Sequence, residues 1–509
     1  MNELQDRLRN VSPGSLAGIR RGIEKESLRV APSGLLAATP HPATLGSALT
    51  HPQITTDFSE SQVELVTGAH AGVQESLDEL TQIHQFTYRA IGDEMLWVAS
   101  MPCRLPADDS IPIGRYGTSN VGTAKSVYRT GLGYRYGRRM QTISGIHYNW
   151  SMPGVTSEQY FGLIRNFRRH SFLLLTLFGA SPAVCSCFVE GHAHNLQTLR
   201  DGTLYLPHAT SLRMGRLGYQ SDAQSTLAVS YNSLERYGAS LQQALTLPYP
   251  AYAEVGIRDA SGGYRQLADS LLQIENEFYG TIRPKRVIFP GERPLHALRQ
   301  RGVEYVEVRC MDLDPFVPVG IAAPTMRFID VFLLHCLLAD SPPDTPAEIA
   351  ALARNQDRVA MRGREPGLQL ERDGRNMALT DWGAEVLAGC QPIAAALDAA
   401  HATSAYGDAL RAAVSALANP ATLPSAHVLA AMRSDFDGSY GAFVVAQSAQ
   451  TKAALLGLPF SAEQRAGFER SVQASIDAQA ATEAADSMPF EAYRQAYLSP
   501  ARLGLPAAG

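Results

Sequence analysis

A short run at residues 22–30, GIEKESLRV, constrains this 509-residue chain more than any other segment. It has the pattern of a β-strand, and side chains on a strand alternate between two faces. Glu24 and Glu26 therefore share one face, while Lys25 and Arg29 take the other. Two carboxylates so placed stand roughly 6–7 Å apart, close enough to share one cation or hold two neighbouring ones. Three more strand-like runs carry related features. Residues 54–66 contain Asp57 and Glu64. ISGIHYNW at 143–150 puts His147 and Asn149 on one face with apolar residues opposite. Residues 303–314 put Glu307 and Arg309 on one face and Val306, Val308 and Cys310 on the other.

Antiparallel strands with one face in water would account for each run taken singly. Taken together, the polar faces carry mainly acids, one His and one Arg, in place of the Thr, Ser and Lys of a solvated face. Like charges ~4 Å apart cost on the order of 4 kcal/mol at a protein-like dielectric. Five gathered carboxylates would therefore require cations, and oxygen ligands with one imidazole suit Mg2+ or Mn2+ better than zinc. Periodicity alone does not say whether the four runs meet in space.

The net charge of −5 gives no electrostatic reason to expect nucleic acid or an anionic membrane as partner. Hydrophobic residues at 45% and charged residues at 18% describe a globular chain. The polar segment 1–10 lacks the apolar core of a signal peptide, and the apolar run at 172–178 is too short to span a bilayer. The expectation is a cytoplasmic protein. Its six cysteines include no CxxC pair and read as reduced, mostly buried thiols. Cys185 and Cys187 could chelate a metal, but with no second pair nearby the buried-thiol reading is preferred.

Residues 1–325 mix strand-like runs with Gly/Pro turns and a few helices, whereas 326–509 are rich in Ala and Leu and read as helical. MRFIDVFLLHCLLA at 326–339 is apolar nearly all round and predicts an internal helix. Thr345-Pro346-Ala347-Glu348 predicts a capping box opening a helix through Arg354, and Ser461 with Gln464 predicts another. There is no repeat and no long linker, so the helical region should pack on the first part as one compact unit. Several motifs fail on inspection. Gly117 and Gly122 precede Thr123-Ala124-Lys125-Ser126, but a phosphate-binding loop needs its lysine directly after the second glycine. Gly131-Leu132-Gly133 lacks the third glycine of a dinucleotide fingerprint, and no GxSxG or HExxH is present. His192 and His194 read as a surface loop. Arg165, Arg168 and Arg169 read as the solvated basic face of a helix.

The strings GIRRGIEKESLRV (18–30), LGSALTHPQITTDFSESQVELVT (45–67), SMPC (100–103), YGTSN (116–120), MQTISGIHYNWS (140–151), LFGASPAVCS (177–186), ATSLRMGRLGY (209–219), QIENEFY with IRPKR (273–286) and VEYVEVRCMDLDPF (303–316) run in order along the chain. Together they resemble the motifs of bacterial glutamate–cysteine ligases, with a shorter stretch around 153–159. The resemblance implies an α+β fold of the glutamine synthetase type, in which a curved antiparallel sheet forms a funnel-shaped active site with helices around it. It places cation ligands at Glu24, Glu26, Asp57, Glu64, His147 and Glu307, and arginines on the transferred phosphoryl group at Arg309 and Arg129. Tyr128, Leu132, Gln141, Arg213, Tyr219, Asn276 and Tyr279 fall around the cysteine pocket, and Asp57 is the expected proton acceptor for the amine. No adenine-binding residue is identified. The implied reaction joins the γ-carboxylate of L-glutamate to the amine of L-cysteine through a γ-glutamyl phosphate, using ATP and Mg2+ (or Mn2+), as the first step of glutathione biosynthesis. Glutathione is the implied feedback inhibitor and a monomer the implied state. Two alternatives remain: a carboxylate–amine ligase with a different amine, and a non-catalytic binding protein that keeps the fold. Retention of the acids, the His and the Arg weighs against the second.

Overall fold

The computed structural model describes residues 2–218, 222–225 and 227–504. Its main sheet is antiparallel and is built from β1 (Arg20–Val30), β2 (Ile54–Thr56), β3 (Gln62–Val66), β4 (Met95–Leu96), β5 (Ile146–Ser151), β6 (Ile282–Lys285) and β7 (Tyr305–Met311). The order is β2-β3-β1-β5-β7-β6, with β4 pairing the far end of β1. All four sequence runs thus enter one sheet. Register does the rest: Glu26 lies opposite Glu64, Glu24 opposite both Val66 and His147, and Glu307 opposite both Asn149 and Arg283. The run at 54–66 is two strands, and Asp57 sits in the turn that joins them.

β1 is buried along most of its length, with Arg20 exposed at its start and Glu24 partly exposed to the cavity on its front face. Helices α1 (Val73–Ala90), α2 (Asn120–Tyr136), α3 (Ser157–His170) and α4 (Ala323–Leu338) belong to the same body, and α1 and α4 meet the back of the sheet through side-chain bonds. Three cations on that back face are consequently buried. Arg21 pairs with Asp330 of α4 at 3.1 Å, and Tyr148 donates its hydroxyl to the same carboxylate at 2.8 Å. Arg29 pairs with Glu94 at 2.6 Å. Lys25 meets only a neutral-type partner among its hydrogen bonds, His84 of α1, at 2.8 Å. Burial drives its amine down to about 7.

The helical third forms largely as its periodicity predicts. α4 is buried on nearly every side. The box at Ser461 and Gln464 opens the helix Ala462–Ala484 with both reciprocal bonds in place. Helix α5 (Pro346–Arg362) departs from expectation twice. It runs past Arg354 to Arg362, and only Thr345 caps it, accepting the Glu348 N–H at 3.2 Å. The Glu348 carboxylate turns instead to Arg169, at 2.6 and 3.0 Å. The arginines of α3 are therefore not a solvated face. Arg165 donates to the carbonyls of Tyr231 and Ser341, and Arg168 reaches Asp344, so the row clamps the segment between α4 and α5. The helical third also contains a β-hairpin, Gln369–Arg372 with Arg375–Ala378, turning through Asp373 and Gly374 at positive φ. Helices α6 (Leu379–His401), α7 (Ala462–Ala484) and α8 (Phe490–Leu498) belong to it, together with helices over Ala405–Ala418, Pro424–Asp435 and Tyr440–Gly457. His192 and His194 are exposed in a loop, as expected. All six cysteines are free, five of them buried. Among the described residues no helix is long and apolar enough to cross a membrane.

Candidate active site

The front face of the sheet carries Glu24, Asp57, Glu64 and Glu307 into one cavity of about 680 Å3, and Glu26 is buried beside Glu64 and His147 beneath its lining. Its floor holds two overlapping triads, Glu24–His147–Glu307 and Glu26–Glu64–His147, each with ligand atoms within 4.8 Å of one another. His147 belongs to both because β5 lies between β1 and β7. Its Nδ1 is 3.1 Å from Glu24 and its Nε2 is 3.6 Å from Glu26. Asn149, two residues on, donates to the other Glu24 oxygen at 2.9 Å. Glu26 accepts the Gly145 N–H at 2.7 Å, which fixes its carboxylate in the floor. A side chain at Gly145 would displace the Arg213 guanidinium, which packs directly against this glycine. Asp57 lines the same cavity but stands outside both triads. Arg129 holds the Asp57 backbone carbonyl through Nε and lies over the Tyr116 ring at 4.5 Å.

The two triads differ electrostatically. Burial alone would raise every carboxyl in the floor. At Glu307 this is more than offset by Lys285, Arg309, His147 and Arg283, which hold it well below the ordinary carboxylate range. Against the same burial, His147 holds Glu24 below its usual value. At Glu26 burial wins with help from Asp57, and the carboxyl is pushed up to about 8. Glu64 is raised well above normal by burial and by Glu24, Asp57 and Glu26. Burial and Arg309 lower His147, leaving the imidazole neutral and able to serve as a ligand. The buried Nε2 of His147 and Oε2 of Glu307 have no hydrogen-bond partner within the protein. An acid floor whose central atoms await partners fits a hard divalent cation.

Other expected residues divide between this cavity and a second, smaller one of about 250 Å3. Tyr128, Arg129 and Asn276 line the first, Arg213 and Tyr279 the second, and Arg309 lines both. Arg309 reaches Glu307 at 3.2 Å and His147 at 3.4 Å, while its carbonyl accepts from Arg213 at 3.0 Å. Gln141 donates to the Tyr279 hydroxyl at 2.9 Å. Leu132 lines neither cavity and packs in an apolar cluster that Tyr128 and Met140 adjoin. Tyr219 lies outside the described residues. Sequence reading missed Arg283 and Lys285. They share one face of β6, and Lys285 Nζ is 3.4 Å from Glu307. Their two-residue spacing in IRPKR was the available signal. It also missed the cavity's outer wall, where Tyr493 and Tyr497 of α8 join Val287, Ile288, Leu295 and Leu298.

Residues 5–359 match the family model described as glutamate–cysteine ligase. The chain is 46% identical over 505 residues to the glutamate–cysteine ligase of Alcanivorax borkumensis, covering 95% of this chain and 96% of that one. It is 49% identical over 496 residues to that of Janthinobacterium sp. (strain Marseille), covering 94% of each. Among solved structures it is similar to the glutamate–cysteine ligase of Francisella tularensis in complex with AMP. That match has a TM-score of 0.90 and 36% identity, over 94% of this chain and 97% of that one. With the acid floor, the arginine between two cavities and similarity along nearly the whole length, this chain belongs to the glutamate–cysteine ligase family, the ATP-dependent enzymes of the first step of glutathione synthesis.

Proposed function

We propose that the chain ligates glutamate to cysteine by phosphorylating the glutamate γ-carboxylate over the acid floor and passing the activated acyl group to the cysteine amine. A carboxylate does not react with an amine directly, because oxide is too poor a leaving group. Transfer of the ATP γ-phosphoryl group gives ADP and an acyl phosphate. The amine then attacks the acyl carbon, the C–O bond to phosphorus breaks, and phosphate leaves. The amine's proton passes to a nearby carboxylate, for which Asp57 is the assigned residue.

Glu24, Glu26, Asp57, Glu64, His147 and Glu307 would hold Mg2+, or Mn2+ in its place. When bound, such a cation neutralises triphosphate charge and polarises the phosphoryl oxygens. Arg309 and Arg129 supply fixed positive charge to the phosphoryl group as it moves. Arg213 and Tyr279, with Gln141 bonded to the Tyr279 hydroxyl, form the cysteine side, while Tyr128 and Asn276, which line the acid cavity, and Leu132 and Tyr219 are assigned to it by resemblance alone. The funnel of this fold type corresponds to the cavity above the sheet. The outer apolar wall around Ile288, Tyr493 and Tyr497 is available for the adenine. Because α8 lines the same cavity as β1, residues 1–325 and 326–509 work as one catalytic unit. Glutathione carries the product's γ-glutamyl group and should compete for the same space. In this proposal the enzyme is monomeric and cytoplasmic.

The observation that carries it is the position of Arg309, which lines both the acid cavity and the Arg213–Tyr279 cavity. Arg309→Ala should lower kcat by roughly 100-fold or more, as removal of a charge-stabilising donor does. Arg213→Ala should raise the KM for cysteine and leave that for ATP near the parent's. If Arg213→Ala instead impairs ATP, or Arg309→Ala turns over normally, the two cavities have been assigned wrongly.

A further inference from the structure

Among the described residues, six lysines and arginines line the acid cavity, and five of them are engaged within the protein. Arg283, Lys285 and Arg309 all approach Glu307. Arg286 donates to the carbonyls of Arg301 and Gly302, and Arg129 to those of Asp57 and Thr56. The sixth, Lys125, pairs with no carboxylate and donates to no carbonyl among the described residues. It is the lysine that stands too late after Gly122 for a phosphate-binding loop. The fold places it in the second turn of α2 instead, on the cavity wall.

Lys125 and Arg129 are one helical turn apart and share a face. Both lie over the Tyr116 ring, the ammonium 5.2 Å and the guanidinium 4.5 Å from its centre. The ring's face attracts a cation, but it supplies no counter-charge. Burial, and then Arg129, lowers the Lys125 amine to about 8, while Glu64 raises it. The side chain is half-buried and its ammonium stays accessible. Its condition mirrors that of the acid floor with the sign reversed: a desolvated charge with no opposite one paired to it.

Position says which anion fits. Ala124, the residue before, packs with Val127 and Leu267 in an apolar cluster that Phe490 and Tyr493 of α8 adjoin. Tyr493 belongs to the cavity's outer wall, and Arg129, one turn further along α2, reaches the Asp57 turn. Lys125 therefore stands between the apolar wall and the acids. On the reading of this cavity as the nucleotide site, we propose that Lys125 binds the polyphosphate of ATP. It contacts a phosphate that is not transferred, between the base at the outer wall and the γ-phosphoryl group over the floor. An ammonium suits a chain of phosphates, since it acts as a point charge whose donors rotate to meet them.

The test is calorimetric titration of the full chain with ADP and Mg2+, which reads binding without turnover. Lys125→Met keeps the stem over Tyr116 and removes the charge. It should weaken ADP binding by about 10-fold or more, the worth of a hydrogen bond to a charged group. Lys125→Arg, which keeps the charge, should restore most of that loss. In turnover the KM for ATP should rise in Lys125→Met, while those for glutamate and cysteine stay near the parent's. Lys125→Gln gives the same comparison should the methionine variant fold poorly. The proposal is overturned if Lys125→Met binds ADP as tightly as the wild type. It is also overturned if the KM for glutamate rises in place of that for ATP, since the lysine would then hold an amino-acid carboxylate. A wild-type protein that takes up no ADP would overturn the reading of the cavity first, and this proposal with it.

Discussion

The two faces of β1 carry opposite charges and solve the resulting problem in opposite ways. Behind the strand, Arg21 and Arg29 are matched inside the chain by Asp330 and Glu94. In front, Glu26 and Glu64 face one another with too few protein cations, and their carboxyls rise instead of ionising. The back matches its arginines from within and leaves Lys25 to shed its charge; the front is left open for something from solution. Only the open face offers a reason for catalysis, because a site already neutralised has nothing left with which to bind ATP and its cations.

The comparison breaks most visibly if front and back substitutions have the same consequence. Glu26→Gln should lower turnover by about 100-fold or more, since it removes a carboxyl that can ionise when a cation arrives at the phosphoryl-transfer floor. Its melting temperature without Mg2+ should not fall, because the carboxyl is already protonated there at neutral pH. Glu24→Gln should also lose most activity and regain part of it as Mg2+ is raised; an unchanged Mg2+ requirement would remove Glu24 from the ligand set. Arg21→Met should cost about 3–5 kcal/mol in denaturant unfolding, as stranding a buried Asp330 does. Activity per folded molecule should persist. Turnover lost in proportion to nothing but stability would confirm the division, whereas a changed KM for ATP would end it.

Acid titration sharpens the contrast with less force. Glu26 is raised from 4.5 to about 8, so its contribution to stability is full below 4.5 and is lost as pH rises through 8. Glu307 is depressed, so its contribution is present above 4.5 and is lost as pH falls through its lowered value. Metal-free protein should therefore lose melting temperature between pH 5 and 8.5, and Mg2+ should restore more at the upper end. A flat profile there would mean the front face is neutralised from within after all. The smallest effect belongs to Lys25. Its amine is lowered from 10.5 to about 7, so it destabilises increasingly as pH falls from 10.5 through 7. Lys25→Met should change stability by less than about 1.5 kcal/mol near pH 9 and become relatively favourable at pH 6.

Much of this was legible because alternation along a strand is strict. Glu24 with Glu26, His147 with Asn149, and Glu307 with Arg309 were each placed on a shared face by counting twos. Convergence was not legible, because register between strands 120 or 280 residues apart is set by the fold and leaves no local trace. The same limit hid Lys285, whose partner Glu307 lies on the neighbouring strand. Arg165, Arg168 and Arg169 looked solvated because helix periodicity reports the buried stripe and says nothing of a loop laid across the polar one. The hairpin at 369–378 does have a local signature, since Asp373-Gly374 is the two-residue signal for such a turn, but it is set in a stretch whose Ala and Leu content argues for helix.

The place of α8 has a consequence for how this enzyme comes into being. Tyr493 and Tyr497 close a cavity whose floor begins at Glu24, and Arg293 donates to the Tyr497 carbonyl beside them. During synthesis the sheet can assemble long before those tyrosines leave the ribosome. A nascent chain therefore carries its acid floor uncovered until the last helix arrives, and clipping that helix would leave a folded sheet facing open solvent.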